Sequence, residues 1–135
     1  MSLLIVPGLA LAQRSYVDPS HASGSGAPFS GAVQVGDTLY LSGMLGLEGG
    51  QVPENPAREA RNVLNAIQST LEKAGMTMDD LVYVQIFCSD VSHYDAFNGV
   101  YRSYFSQEFP ARAFVGAGTL LFDARFEIQA IAVKR

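Results

Sequence analysis

The sequence predicts an α+β domain in which a single mixed sheet carries two helices on one face. Three observations lead to this prediction. Alternating runs typical of strands stand near both ends of the domain, two segments between them repeat at helical spacing, and a short apolar run separates those segments. A chain of 135 residues makes one ordinary domain. Because two helices cover only one face of the sheet, we expect another subunit to cover the other.

The first predicted element is a β-hairpin. Residues 32–35 and 38–42 alternate like strands. Between them Gly36 and Asp37 form a two-residue turn, because glycine readily takes a positive φ. The glycine-rich stretch at 43–50 then predicts a loop.

The first helix is predicted to follow that loop. Asn55 is a good N-cap residue, and Pro56 suits the first helical position. The apolar residues that repeat at helical spacing are Ala60, Val63, Leu64, Ile67 and Leu71. Gly75 ends the helix. The run at 81–87 is too short and too apolar for a surface helix, so it predicts a buried strand.

A second helix is predicted after that strand. Ser92 and Asp95 have the spacing of a capping box, in which Asp replaces the usual Glu. One aromatic stripe at helical spacing consists of Tyr94, Phe97, Tyr101, Tyr104 and Phe105. Pro110 ends this helix, and the alternating runs at 109–115 and 124–133 predict two C-terminal strands.

Residues 1–27 are predicted to be an N-terminal extension, and residues 28–135 the domain. Two interpretations of the start stay open. The apolar run at 3–9 followed by Ala10-Leu11-Ala12 is typical of a truncated export signal, although it lacks a basic beginning; it also suits an ordinary N-terminal strand. The first interpretation predicts an exported, periplasmic protein. No stretch reaches the roughly 20 apolar residues that a membrane span needs.

Charge and composition argue against several classes of site. The net charge is −4 and the nine Lys and Arg residues are dispersed, so no basic stripe is available for nucleic acid. The single cysteine, Cys88, ends an apolar run and is interpreted as a packed side chain. His21 and His93 have no Cys or carboxylate at ligand spacing, so no metal site is predicted.

Arg112 and Glu127 are the main functional candidates, because each is an ionisable side chain in an apolar, alternating run. Arg112 offers a planar fork of donors to a small carboxylate, and Glu127 offers an acid or base. The pair would suit binding and hydrolysis of an α-keto-acid derivative. The spacing also allows a structural salt bridge between them. Asn98, within the aromatic stripe, either satisfies a buried backbone group or lines a site.

A series of short motifs spans the domain. They are 31–36 (GAVQVG), 41–43 (LSG), 62–65 (NVLN), 71–75 (LEKAG), 79–82 (DDLV), 98–101 (NGVY), 109–112 (FPAR) and 127–132 (EIQAIA). In this order and spacing they resemble the RidA/YjgF family of reactive-intermediate deaminases, which is also named endoribonuclease L-PSP. The resemblance covers the chain from about Pro28 to Arg135.

This resemblance implies a chorismate-mutase-like fold, assembled as a homotrimer with a central barrel and a ligand cleft between neighbouring subunits. It implies hydrolysis of enamines and imines such as 2-aminoacrylate and 2-iminobutyrate to 2-oxo acids and ammonia, without a cofactor. Arg112 would hold the substrate carboxylate and Glu127 would position or activate water, with Ser42 and Asn98 lining the cleft. Members of the family are typically cytoplasmic. An endoribonuclease or translation inhibitor, and a non-catalytic trimer that binds small carboxylates, stay open as alternatives.

The chain also departs from the family pattern. Phe29 stands where the deaminases commonly carry a ligand-contacting tyrosine, and Phe114 stands where cysteine is frequent. Met44 follows Ser42 and Gly43 where glutamine is frequent. We therefore expect Phe29 and Phe114 to contact the ligand in a more apolar pocket, and the preferred substrate stays open.

Overall fold

The computed structural model describes residues 13–135, so the predicted export signal at 1–12 lies outside the described residues. The strands are β1 (Arg14–Val17), β2 (Ala32–Val35), β3 (Thr38–Leu45), β4 (Leu81–Cys88), β5 (Ala111–Gly116) and β6 (Phe126–Val133). The helices are α1 (Ser20–Ser23), α2 (Pro56–Lys73) and α3 (Tyr94–Tyr101). The strands form one sheet in the order β1-β2-β3-β6-β4-β5. The predicted α+β fold, a mixed sheet with two main helices, is confirmed.

The hairpin and the first long helix lie where the sequence predicts them. Gly36 has a φ of 57° between β2 and β3, where Val35 pairs with Thr38. At the start of α2 the Asn55 Oδ1 atom accepts a hydrogen bond from the Ala57 N–H at 2.8 Å. Local turn and cap chemistry therefore determines both boundaries.

β1 comes from the segment assigned to the N-terminal extension. It pairs antiparallel with β2, with Arg14 beside Val35 and Val17 beside Ala32. Just after it, Lys73 Nζ binds Asp18 Oδ2 at 2.8 Å. Three of the four residues of β1 are exposed, so the sequence shows no hydrophobic alternation that would predict the strand. Backbone pairing with β2 places it at the edge of the sheet.

The second helix begins differently from the prediction. The Asp90 side chain accepts from the Ser92 N–H at 2.9 Å and opens a short 3₁₀ turn at Val91–His93. The predicted capping box at Ser92 is wrong, because Asp90 supplies the acceptor two residues earlier. The prediction that Pro110 ends this helix is wrong, because α3 ends at Tyr101. A further 3₁₀ turn, Arg102–Tyr104, contains Tyr104 of the aromatic stripe, and Phe105 after it is extended.

The two faces of the sheet are unlike. Buried apolar side chains on the face beneath α2 and α3 include Leu39, Leu41, Val84, Ile86, Ile128 and Ala130. On the other face, partly exposed apolar side chains include Tyr40, Tyr83, Val115 and Val133. That second face therefore has no covering layer within residues 13–135. None of the helices in this part of the chain is long and apolar enough to cross a membrane.

A buried carboxylate connects α2 to the start of β6. Glu59 is 0% exposed, and its Oε1 accepts from the backbone N–H groups of Arg125, at 2.7 Å, and Phe126, at 3.3 Å. Its Oε2 binds Arg125 Nη1 at 2.8 Å, and the same nitrogen donates to the Pro53 carbonyl. The apolar repeat of α2 did not predict the Glu59–Arg125 pair. Glu59 is not one of the apolar residues of that repeat, although it lies next to one of them and is equally buried.

Candidate functional site

A cavity of about 190 Å³ opens between α3 and the beginning of β5. It is lined by Tyr94, Asn98, Tyr101, Arg102, Phe109, Pro110 and Arg112. The first three residues lie on one face of α3, because their spacing of four and three residues is about one helical turn each. The volume is below the roughly 300–1,000 Å³ of pockets for drug-sized ligands. A molecule of only a few heavy atoms fits it.

Arg112 supplies a positive charge to this cavity. Its Nη1 donates to Asn98 Oδ1 at 2.7 Å, so the buried Asn98 binds a side chain rather than a backbone group. The guanidinium carbon lies 4.8 Å from the centre of the Tyr101 ring and 5.7 Å from that of Tyr94. No carboxylate of residues 13–135 lies within 4.0 Å of the guanidinium nitrogens. Neutral partners thus orient the guanidinium and leave its charge to an incoming anion.

Phe114 lies behind the arginine. It is two residues further along β5 and so points to the same side of the sheet. Its ring meets that of Tyr94 edge-on at 5.0 Å and that of Phe97 at 5.7 Å. Phe114 is not among the residues that line the cavity. It therefore supports the cavity wall and the guanidinium rather than forming the inner surface.

Glu127 lies at another part of the molecule, on β6 beside a bulge of β3. A Cβ atom at Gly43 would overlap Glu127 Oε1 and lie 3.1 Å from Cδ, so the carboxylate rests directly on that glycine. The neighbouring Ser42 donates from Oγ to the Ser30 carbonyl at 2.6 Å. Phe29, which immediately precedes Ser30 in the chain, is 58% exposed. Glu127, Ser42 and Phe29 thus belong to a second group of candidate residues outside the cavity.

The register of the sheet places Arg112 and Glu127 on opposite faces. Arg112 lies beside Val84 of β4, which is buried beneath the helices. Glu127 lies beside Phe87, three residues further along β4. Because side chains alternate along a strand and neighbours across a pair share a face, Val84 and Phe87 mark opposite faces. The structural salt bridge between Arg112 and Glu127 is therefore not formed, and one chain cannot place both around the same ligand.

Tyr101 is a cavity residue that the sequence did not single out for function. Its side chain is 4% exposed, and its hydroxyl is the one buried side-chain polar atom of residues 13–135 without a hydrogen-bond partner. Burial raises the pKa of Tyr101 to about 12. The spacing of Tyr94, Asn98 and Tyr101 indicates that the three residues share one face of α3. The same spacing is also typical of an aromatic stripe packed in the core, so it did not identify Tyr101 as a site residue.

The cysteine and the two histidines lie outside the cavity. Cys88 is fully buried and its thiol contacts the Asp90 carbonyl at 2.9 Å, and burial raises the pKa of this thiol. This agrees with a packed side chain. His93 packs edge-on against Phe126, and neither His93 nor His21 lines the cavity. Within residues 13–135 no group of three or more His, Cys, Asp or Glu is placed to hold a metal ion.

Known proteins are similar to this chain over most of its length. The family model for endoribonuclease L-PSP matches residues 20–134. A 2-iminobutanoate/2-iminopropanoate deaminase from Dermatophagoides farinae is 38% identical over 109 residues, 78% of this chain and 85% of that protein. A protein of the same name from Bos taurus is 36% identical over 124 residues, 90% of each. The crystal structure of the YjgF gene product from E. coli has a TM-score of 0.76 at 32% identity, covering 81% of this chain and 90% of that one.

Proposed function

The chain belongs to the endoribonuclease L-PSP family, the RidA/YjgF family that its motifs resemble, and from this premise we propose that it hydrolyses short 2-imino acids to 2-oxo acids and ammonia. The observation that carries the proposal is Arg112, which lines a small cavity and whose guanidinium has no acidic partner among residues 13–135. A carboxylate of a three- or four-carbon acid suits both its charge and the available volume. The matched relatives are named for acids of this size.

The complete site requires two chains, because Arg112 and Glu127 lie on opposite faces of one sheet. The cavity of one protomer would receive Glu127, Ser42 and Phe29 from its neighbour. The partly exposed apolar side chains on the open face give such a neighbour a surface to cover. We propose that this assembly is the homotrimer with a central barrel that the family resemblance implies, since it would both cover the open faces and bring the two groups of residues together.

The mechanism follows from the roles of these two residues. Arg112 binds the substrate carboxylate with donors that Asn98 leaves available, and so fixes C2 of the imine. Glu127 removes a proton from water, whose oxygen forms a bond to C2. The proton passes to the substrate nitrogen, the C–N bond breaks to release ammonia, and the ammonia takes the hydroxyl proton as the 2-oxo group forms. Iminium and water thereby become 2-oxo acid and ammonium, with no electron transfer and no cofactor needed.

Glu127→Gln tests the chemical step. We expect the wild-type protein to accelerate the loss of 2-iminobutanoate produced by a threonine dehydratase, and Glu127→Gln to lower kcat about a hundredfold. Binding of 2-oxobutanoate should change little, since Arg112 is intact. Glu72→Gln, on the exposed surface of α2, is the matched control and should be as active as wild type. If the wild type binds 2-oxobutanoate without accelerating imine loss, the protein is the non-catalytic carboxylate binder.

Mixed assemblies test whether two chains build each site. Arg112→Ala and Glu127→Gln should each be nearly inactive alone. When the two variants are co-expressed in equal amounts, about a quarter of the sites should combine an intact Arg112 from one chain with an intact Glu127 from another, and restore that share of wild-type activity. No recovery in verified mixed trimers would contradict a site shared between chains.

The ribonuclease named in the family description is less compatible with this cavity. Its described lining contains Arg102 and Arg112 but no histidine for acid–base cleavage of RNA. The net charge of −4 also opposes binding to a phosphate backbone. We therefore prefer the deaminase as the function of this chain.

A further inference from the structure

Within the described residues 13–135, the hydroxyl of Tyr101 is buried without a hydrogen-bond partner, although the tyrosine ring is well packed. The ring centre lies 4.8 Å from that of Phe105 and 5.7 Å from that of Phe97. Tyr104 shows the usual alternative, because its hydroxyl lies 2.6 Å from Asn65 Oδ1. A buried polar group without a hydrogen bond opposes folding. An orphaned hydroxyl is therefore a feature that packing alone does not explain.

The position of Tyr101 connects it to the cavity. Tyr101 lines the same cavity as Arg112, and the guanidinium carbon lies 4.8 Å from its ring centre. The Asn98 carbonyl oxygen in this cavity already accepts from Arg112. The described cavity wall thus contains a tyrosine whose ring contacts the Arg112 guanidinium and whose hydroxyl has no acceptor among residues 13–135.

We propose that the Tyr101 hydroxyl donates a hydrogen bond to the carboxylate of the acid that Arg112 binds. This inference rests on the proposed function, and it adds a binding residue that is absent from the candidates predicted by sequence. A carboxylate has about four lone-pair sites, so it accepts from the guanidinium and the hydroxyl at the same time. The carboxylate of the acid would thus be the anionic partner of Arg112 and the hydrogen-bond acceptor of Tyr101.

The chemistry of the hydroxyl agrees with a donor role. With a pKa of about 12 the group stays protonated at neutral pH, so it offers a hydrogen rather than a negative charge. An ionised phenolate would instead neutralise Arg112 and weaken anion binding. The protonated hydroxyl therefore leaves the charge of Arg112 available and can donate to the ligand.

Tyr101→Phe removes only the hydroxyl and separates a binding role from a structural one. Without ligand, the variant should unfold at the same temperature as the wild type or higher, because an unsatisfied buried group is lost. Its Kd for 2-oxobutanoate, measured by calorimetry, should rise about tenfold, the loss of one hydrogen bond to a charged group. KM should rise similarly while kcat changes little, because the bond forms in both ground and transition states.

Tyr104→Phe is the matched control, since its hydroxyl is hydrogen-bonded and lies outside the cavity lining. It should lower the unfolding temperature and leave the Kd for 2-oxobutanoate unchanged, the opposite pattern to Tyr101→Phe. Wild-type affinity in Tyr101→Phe would overturn the inference and leave the proposed function standing. If the wild-type protein itself fails to bind 2-oxobutanoate, the proposed function and the inference both fail.

Discussion

Arg112→Lys should lower kcat/KM for 2-iminobutanoate about a thousandfold, even though the positive charge is kept. Lysine has a single ammonium group and cannot present two parallel donors to a carboxylate. The substitution also removes the guanidinium that donates to Asn98 and lies over the Tyr101 ring. Losing two charge-assisted hydrogen bonds at about 2 kcal/mol each gives about 4 kcal/mol, a factor of about a thousand.

Two measurements check this result. Steady-state kinetics gives the loss in kcat/KM, and the unfolding temperature with excess 2-oxobutanoate reports binding independently of turnover. The ligand should stabilise the wild type and have little effect on Arg112→Lys. Arg61→Lys, on the exposed surface of α2 and outside the cavity lining, makes the same chemical change and should behave like the wild type. Near-normal turnover by Arg112→Lys would remove the main support for the proposed function.

Local signals were sufficient to predict the elements next to the site. Gly36 and the Asn55-Pro56 pair specify a turn and a helix start through bonds within a few residues, and both predictions are confirmed. The edge strand β1 was not predicted, because its residues bury almost nothing and their contribution is a set of backbone hydrogen bonds to β2. The sequence thus predicts elements that carry a cap, a turn or a buried face.

The division of the site could not be read from the sequence. Alternation predicted correctly that Arg112 and Glu127 lie on strands, but the face each occupies depends on which strand pairs with which. β5 runs parallel to β4, whereas β6 is antiparallel to it, and these tertiary pairings set the registers. For the same reason Tyr101 was grouped with a packed stripe, since the cavity forms only where α3 meets β5.

Glu59→Ala should lower the free energy of unfolding by about 3–5 kcal/mol, because it breaks a buried ion pair outside the cavity. The substitution leaves two backbone N–H groups, of Arg125 and Phe126, without their acceptor. It also removes the carboxylate that pairs with the Arg125 guanidinium, and the Arg125 side chain is 23% exposed. Unpaired donors and a partly buried unpaired charge both oppose folding.

Urea unfolding at equal protein concentrations measures this effect, with Glu48→Ala as the control. Glu48 also pairs with an arginine, Arg58, but both side chains are exposed, so its loss should cost less than about 1 kcal/mol. Because Glu59 fixes the backbone two residues before Glu127, the folded fraction of Glu59→Ala should also show reduced kcat. Equal destabilisation by the two substitutions would mean that the buried carboxylate does not hold β6 in place, and that the position of Glu127 is set by strand pairing alone.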